Sequence, residues 1–98
     1  MSTVRKSPML VDPHKELPLV DDTVYSNLFN EYNEDVIAQV TTGRAYAQHA
    51  AWDFCGYVWF SDGVWCESVW VHQEHVATYM AGELRDLIWF VNDTHGWR

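Results

Sequence analysis

The sequence predicts an α+β domain in which a small antiparallel sheet of three to four strands is flanked by an N-terminal and a C-terminal helix. Two segments with helical spacing of apolar residues enclose a central stretch that has the alternation and turn signal of a β-hairpin. The chain has 98 residues, of which 48% are apolar and 20% charged. This size and composition allow one small packed domain and exclude a disordered polyelectrolyte. The order helix, strands, helix is that of an α+β domain.

Residues 1–20 are predicted to form an extended arm that precedes a single domain over residues 21–98. The arm contains all three prolines, Pro8, Pro13 and Pro18. Each proline biases the residue before it toward extended backbone, and no helical or strand period is visible. The arm is therefore expected either to be mobile or to lie along the domain.

Residues 23–41 are predicted to form an amphipathic helix. Its apolar residues fall within one stripe at 100° per residue. They are Tyr25, Leu28, Phe29, Tyr32, Val36 and Val40. Gly43 is placed to end this helix, because glycine adopts the left-handed conformation of a C-cap without strain. The following stretch, residues 44–51, is compatible with a continued helix after a kink or with a first strand.

The central hairpin has predicted strands at 52–60 and 64–72, joined by a turn at Asp62-Gly63. A two-residue turn at this position pairs Cys55 with Trp70 and Cys66 with Trp59. The two thiols then do not face each other and are expected to be free. A third strand is predicted from His75 to Ala81, after a short connection at Gln73-Glu74.

Both faces of the predicted hairpin are apolar, so we expect each of the two helices to cover one face. The second helix is predicted over residues 82–94, with Gly96 as its C-cap. Leu84, Leu87, Ile88 and Val91 form its apolar stripe. Trp89 lies about 140° around the helix from Leu84, and is therefore expected to point away from the core.

The charge balance limits the classes of partner. Fourteen acidic and six basic residues give a net charge of −8, which excludes a nucleic-acid binder because phosphates would be repelled. No apolar run approaches the roughly 20 residues of a membrane span. The first 20 residues lack the pattern of a signal peptide, so a reducing cytoplasm is expected.

Neither a metal site nor a catalytic centre is predicted, and no cofactor is implied. Cys55, Cys66, His72 and His75 do not have the spacing of a standard zinc site. Either cysteine could act as a nucleophile only beside a histidine and with a lowered pKa, and their strand positions do not favour this. Phosphate-binding loops and hydrolase motifs are absent from the sequence.

The pieces AWDFCGYVWF, DGVWCESVWV and VNDTHGW, between Ala51 and Trp97, resemble small proteins encoded by phages of actinobacteria. Those proteins combine a Trp-rich hairpin with a final helix and a similar C-terminal tail. The resemblance implies expression in the cytoplasm of a bacterial host and a role in binding a host or phage component.

We therefore predict a non-enzymatic interaction protein that modulates a host or phage protein through an aromatic patch. A basic or apolar partner surface suits the acidic chain, and a homodimer is an open alternative. Another alternative is a small-ligand binder that holds a planar, nucleotide-like molecule between aromatic rings. The predicted binding residues are Trp89, Trp97, Trp59, Trp70 and Tyr57.

Overall fold

The computed structural model describes residues 4–7, 16–20, 34–51 and 54–96. These residues form five strands and two helices. In chain order the elements are β1 (Arg5–Ser7), α1 (Glu34–Thr41), β2 (Ala47–Ala51), β3 (Phe54–Ser61), β4 (Val64–Val71), β5 (Glu74–Ala81) and α2 (Leu84–His95). The strands make one antiparallel sheet in the order β1-β5-β4-β3-β2. The predicted α+β class is confirmed, with five strands in place of three to four.

The predicted hairpin is formed by β3 and β4, and its turn is the expected one. Asp62 and Gly63 have φ angles of 51° and 79°, as a two-residue primed turn requires. Cys55 is opposite Trp70, and Cys66 is opposite Trp59. Both thiols are free, as this register predicts.

A second two-residue turn joins β4 to β5. It consists of His72 and Gln73, with φ angles of 50° and 67°, and it lies one residue earlier than the connection predicted at Gln73-Glu74. The β4–β5 pairing contains an irregularity, because Val69 faces Ala77 whereas Trp70 faces His75. Val76, the extra residue of this bulge, is 48% exposed.

Residues 44–51 were compatible with either helix or strand. The structure has the strand alternative, because β2 spans Ala47–Ala51 and pairs with β3. Of the predicted helix over residues 23–41, the structure describes the part from Glu34 onward, which is helical to Thr41. The remainder of that prediction lies outside the described residues. Gly43 follows with φ 72°, and its N–H donates to the carbonyl oxygen of Val40 at 3.0 Å.

Two parts of the predicted arm contact the sheet. In β1, Lys6 is opposite Tyr79 of β5, and the next residue but one is Pro8, which has no N–H to continue the ladder. At the other edge of the sheet, Leu19 forms a parallel bridge with Tyr46. The N–H of Tyr46 donates to the carbonyl oxygen of Pro18 at 3.1 Å.

Both helices cover the same face of the sheet, so the expectation of one helix per face is wrong. Val40 of α1 and Leu87 of α2 belong to one buried cluster with Val58 and Val69 of the central strands. Five strands spaced about 4.8 Å apart make a sheet roughly 19 Å wide. Helices pack about 8–10 Å apart, so this width accommodates two of them side by side.

Candidate functional site

The strongest candidate for a binding surface is the outer side of α2, where Trp89 is 68% exposed. This is the most exposed large apolar side chain in the part of the chain that the structure describes. The other side of the same helix is packed against the sheet. The buried residues there are Leu84, Leu87, Ile88 and Val91. The expected outward orientation of Trp89 is therefore what the structure has.

Contacts near the C-terminal end of α2 hold the helix on the sheet with Trp89 on its outer side. The helix starts after Glu83, which has extended backbone, and ends at Gly96, which has φ 68° and donates its N–H to the carbonyl oxygen of Asn92. Near the C-terminal end, the hydroxyl of Tyr79 and Nε2 of His95 form a hydrogen bond of 3.1 Å. The ring centroids of Tyr79 and Phe90 are 5.2 Å apart. These contacts hold the last two turns of α2 on β5.

Burial keeps the hydrogen-bonded pair of Tyr79 and His95 uncharged. Desolvation raises the pKa of Tyr79. Desolvation, followed by the charge of Lys6, lowers the pKa of His95. Both shifts favour the neutral forms of the phenol and the imidazole that share this hydrogen bond.

The charged side chains around Trp89 are not distributed evenly. At 100° per residue, Asp86 and Asp93 lie about 60° and 40° from Trp89 on one side of the helix. Arg85 lies about 40° from Trp89 on the opposite side. Arg85 and Asp93 are exposed and Asp86 is half-buried, so the indole separates an acidic side from a basic one.

The other predicted aromatic residues do not form one patch with Trp89. Tyr57, Trp59 and Trp70 lie on the face of the sheet that points away from α1 and α2, which we call the second sheet face. Trp59 is 6% exposed and packs in a cluster with Tyr46 and Cys66. Trp97 lies outside the described residues.

An aromatic row crosses the second sheet face from β2 to β5. It runs through Tyr46, Tyr57, Trp70 and His75, with centroid distances of 5.5, 6.1 and 5.3 Å and edge-to-face geometry. We call these four residues the aromatic row. Tyr46 and His75 were not among the predicted binding residues. For His75 the reason is the bulge that brings it opposite Trp70, which has no signal in the strand alternation.

Two members of the aromatic row are bonded to small hydroxyl side chains in the sheet. Nε1 of Trp70 donates to Oγ of Ser68 at 3.1 Å. Nε2 of His75 lies 2.8 Å from Oγ1 of Thr78. Ser68 and Thr78 are buried, so these bonds satisfy polar groups that water does not reach and fix the orientation of both rings.

The cysteines lie on the second sheet face as well. Burial and then the charge of Asp62 raise the pKa of the Cys66 thiol to about 11. The thiol is therefore protonated at neutral pH, which disfavours it as a nucleophile or a metal ligand. Nε2 of Gln48 donates to Sγ of Cys55 at 3.0 Å. Within the described ranges, no three His, Cys, Asp or Glu side chains converge as a metal site would require.

A further ionisable residue that the sequence analysis missed is Glu67. Its exposed fraction is 0%, and it lies on the helix-covered face of β4 between Val58 and Tyr79. Burial raises the pKa of its carboxyl group to about 8. Strand alternation places Glu67 with Trp65 and Val69, so the predicted hairpin already contained the signal for its position.

Among the described helices, none is long and apolar enough to cross a membrane. Comparison of the chain with family models, with curated proteins and with solved structures found no match.

Proposed function

We propose that this chain is a non-enzymatic interaction protein that binds another protein through the outer side of α2, with Trp89 at the centre of the contact. The observation that supports this is the 68% exposure of Trp89 on a helix whose other side is fully packed. Tryptophan is enriched among the few interface residues that dominate binding energy, since its ring covers a large apolar area with few rotatable bonds.

The partner is proposed to be a host or phage protein whose activity the chain modulates. The resemblance to small actinobacterial phage proteins supports this choice of source. The net charge of −8 supports a partner with a basic or apolar surface, since long-range attraction raises the rate of encounter between oppositely charged proteins.

The test is affinity capture from an actinobacterial lysate with three baits: wild type, Trp89→Ala and Val76→Ala. Val76 is the matched control because it is also an exposed apolar side chain but lies in the bulge of β5. We expect wild type and Val76→Ala to capture the same protein in near-stoichiometric amount. Trp89→Ala should lose it, because truncation of a central interface tryptophan typically costs about 2 kcal/mol or more of binding energy.

The same variant also tests whether Trp89 is structural. An exposed substitution should change the free energy of unfolding by no more than about 0.5 kcal/mol, measured by urea denaturation. Undiminished capture by Trp89→Ala would contradict the proposal. A loss of stability of several kcal/mol would contradict the assignment of Trp89 as a binding residue.

A second candidate function is binding of a planar ligand on the second sheet face. The aromatic row favours it, because Tyr57, Trp70 and His75 are each half-buried and present ring edges and faces at one surface. A thermal-shift screen against nucleotides tests it, with Trp70→Leu as the variant that shortens the row. A ligand at 100 times its Kd adds about 2.7 kcal/mol of stability. The absence of any shift in wild type would contradict this candidate.

A further inference from the structure

We infer that the surface which receives Trp89 is an apolar pocket with basic groups along one side only, the side that meets Asp86 and Asp93. This inference rests on the proposed function, since it describes the partner of the same site. It adds that the contact is polarised and therefore has a single preferred orientation.

The geometry of α2 provides the first step of the argument. Asp86 and Asp93 are one full heptad apart, so they lie on the same side of the helix about 10 Å from each other along its axis. Trp89 is between them in height and is displaced to one side. A partner that covers the indole must therefore pass over both carboxylates on one side of it and over Arg85 on the other.

Charge complementarity provides the second step. Asp86 and Asp93 place two acidic groups on one side of Trp89, opposite Arg85, and the whole chain carries a net charge of −8. A partner with acidic groups at that position would be repelled both at long range and in contact. Basic groups there would be attracted during the approach and would fix the register once the indole is buried.

The same charges argue against a second copy of this chain as the occupant. Two copies that meet through Trp89 with parallel helices would place Arg85 of each beside the acidic side of the other, but acidic groups still outnumber basic ones there and each chain adds the repulsion of its net charge of −8. A foreign basic surface is therefore the better fit, and self-association becomes an outcome that the experiment can detect.

The protein that wild-type bait captures is purified, and its rate of association with three forms of this chain is measured. The forms are wild type, the test variant Asp86→Asn/Asp93→Asn and the control variant Asp62→Asn/Glu74→Gln. The control removes the same amount of charge from Asp62 in the β3–β4 turn and from Glu74 at the start of β5, two exposed residues that lie outside α2. We expect the association rate at 50 mM salt to fall about tenfold for Asp86→Asn/Asp93→Asn, with the difference fading at 500 mM salt. The control should fall by less than about threefold.

Other outcomes separate this inference from the proposed function. If Trp89→Ala abolishes binding while the two charge variants bind at equal rates, the polarised contact is wrong and the proposed function stands. If Trp89→Ala binds like wild type, or no protein is captured, both are wrong. A homodimer in light scattering that Trp89→Ala dissociates would identify a second copy as the occupant and overturn the inference. Asp86 lies in the first turn of α2, where an acidic residue stabilises the helix start. The single variant Asp93→Asn therefore tests the charge effect in a helix whose start is unchanged.

Discussion

Glu67 is a carboxyl group with no exposure to solvent, and its protonation is linked to folding. In the unfolded chain it loses its proton near pH 4.5, whereas burial raises its pKa in the folded chain to about 8. Between these values the folded state binds more protons than the unfolded state, so the free energy of unfolding falls as the pH rises. The stabilisation is complete below about pH 4.5 and is lost as the pH approaches 8.

We predict that Glu67→Gln removes this pH dependence. Wild type should lose a few kcal/mol of unfolding free energy between pH 5 and pH 8.5, since each unit of pKa shift corresponds to about 1.4 kcal/mol. The glutamine variant keeps the shape of the side chain without an ionisable group, so its unfolding free energy should exceed that of wild type by a growing margin over this range. Urea denaturation at several pH values measures both profiles.

Glu74→Gln, the same substitution on an exposed glutamate of the adjacent strand, controls for the change in net charge. Parallel profiles for wild type and Glu67→Gln would show that the carboxyl group of Glu67 is not the source of the pH dependence.

At the residue scale, the sequence predicts which side chains of a helix are buried, but it predicts burial in the sheet only in part. The 3.6-residue period was enough to place Trp89 outside and Leu87 inside, because a helix fixes both by geometry. Strand alternation puts Trp59 and Trp70 on different strands but on one face of the hairpin, whereas their exposure depends on which face the helices cover. That choice is made by tertiary packing, which no local pattern records.

Among the elements, the two tight turns of the sheet differ in how well their residues suit them. Asp62-Gly63 is a preferred pair for a primed turn, whereas His72-Gln73 adopts the same left-handed conformation without glycine or asparagine. For most residues this conformation costs roughly 1–2 kcal/mol each. The β4–β5 turn therefore stores strain that the β3–β4 turn does not.

We predict that His72→Asn/Gln73→Gly stabilises the chain by about 1 kcal/mol or more, because Asn-Gly is the preferred pair for this turn. For a domain of this size, that corresponds to a rise in Tm of roughly 4–8 °C per kcal/mol, measured by thermal denaturation.

Asp62→Asn is the matched control, since it places the same Asn-Gly pair in a turn that is already relaxed, and it should change Tm less. A lower Tm for the double variant would mean that the side chain of His72 or Gln73 makes a contact worth more than the strain.

Element prediction succeeded where the signal is local. The helix predicted at 82–94 is α2 at Leu84–His95, and the Asp-Gly turn set the register of β3 and β4. β1 was not predicted as a strand, because three residues acquire strand geometry only from the partner that they pair with. Arg5, Lys6 and Ser7 carry no alternation long enough to recognise.

For the whole molecule, both helices lie on one face of the sheet, where Val40 of α1 and Leu87 of α2 share one buried cluster with the central strands. On the second sheet face the aromatic rings contact one another and form hydrogen bonds with Ser68 and Thr78. The candidate site was predictable at Trp89 and not beyond it, since the aromatic patch depended on this packing.

The pairing of β1 with β5 has a consequence for the order in which the sheet assembles. Strands β2, β3 and β4 are each paired with the next strand along the chain, so their contacts close short loops. β1 joins residue 6 to residue 79, and the entropy of closing that long loop is repaid by three residue pairs. The meander therefore forms early and β1 docks late, and β1 is also the first strand to leave. Each such departure uncovers the backbone of Thr78, Tyr79 and Met80, the place where a strand from another molecule could add to the sheet.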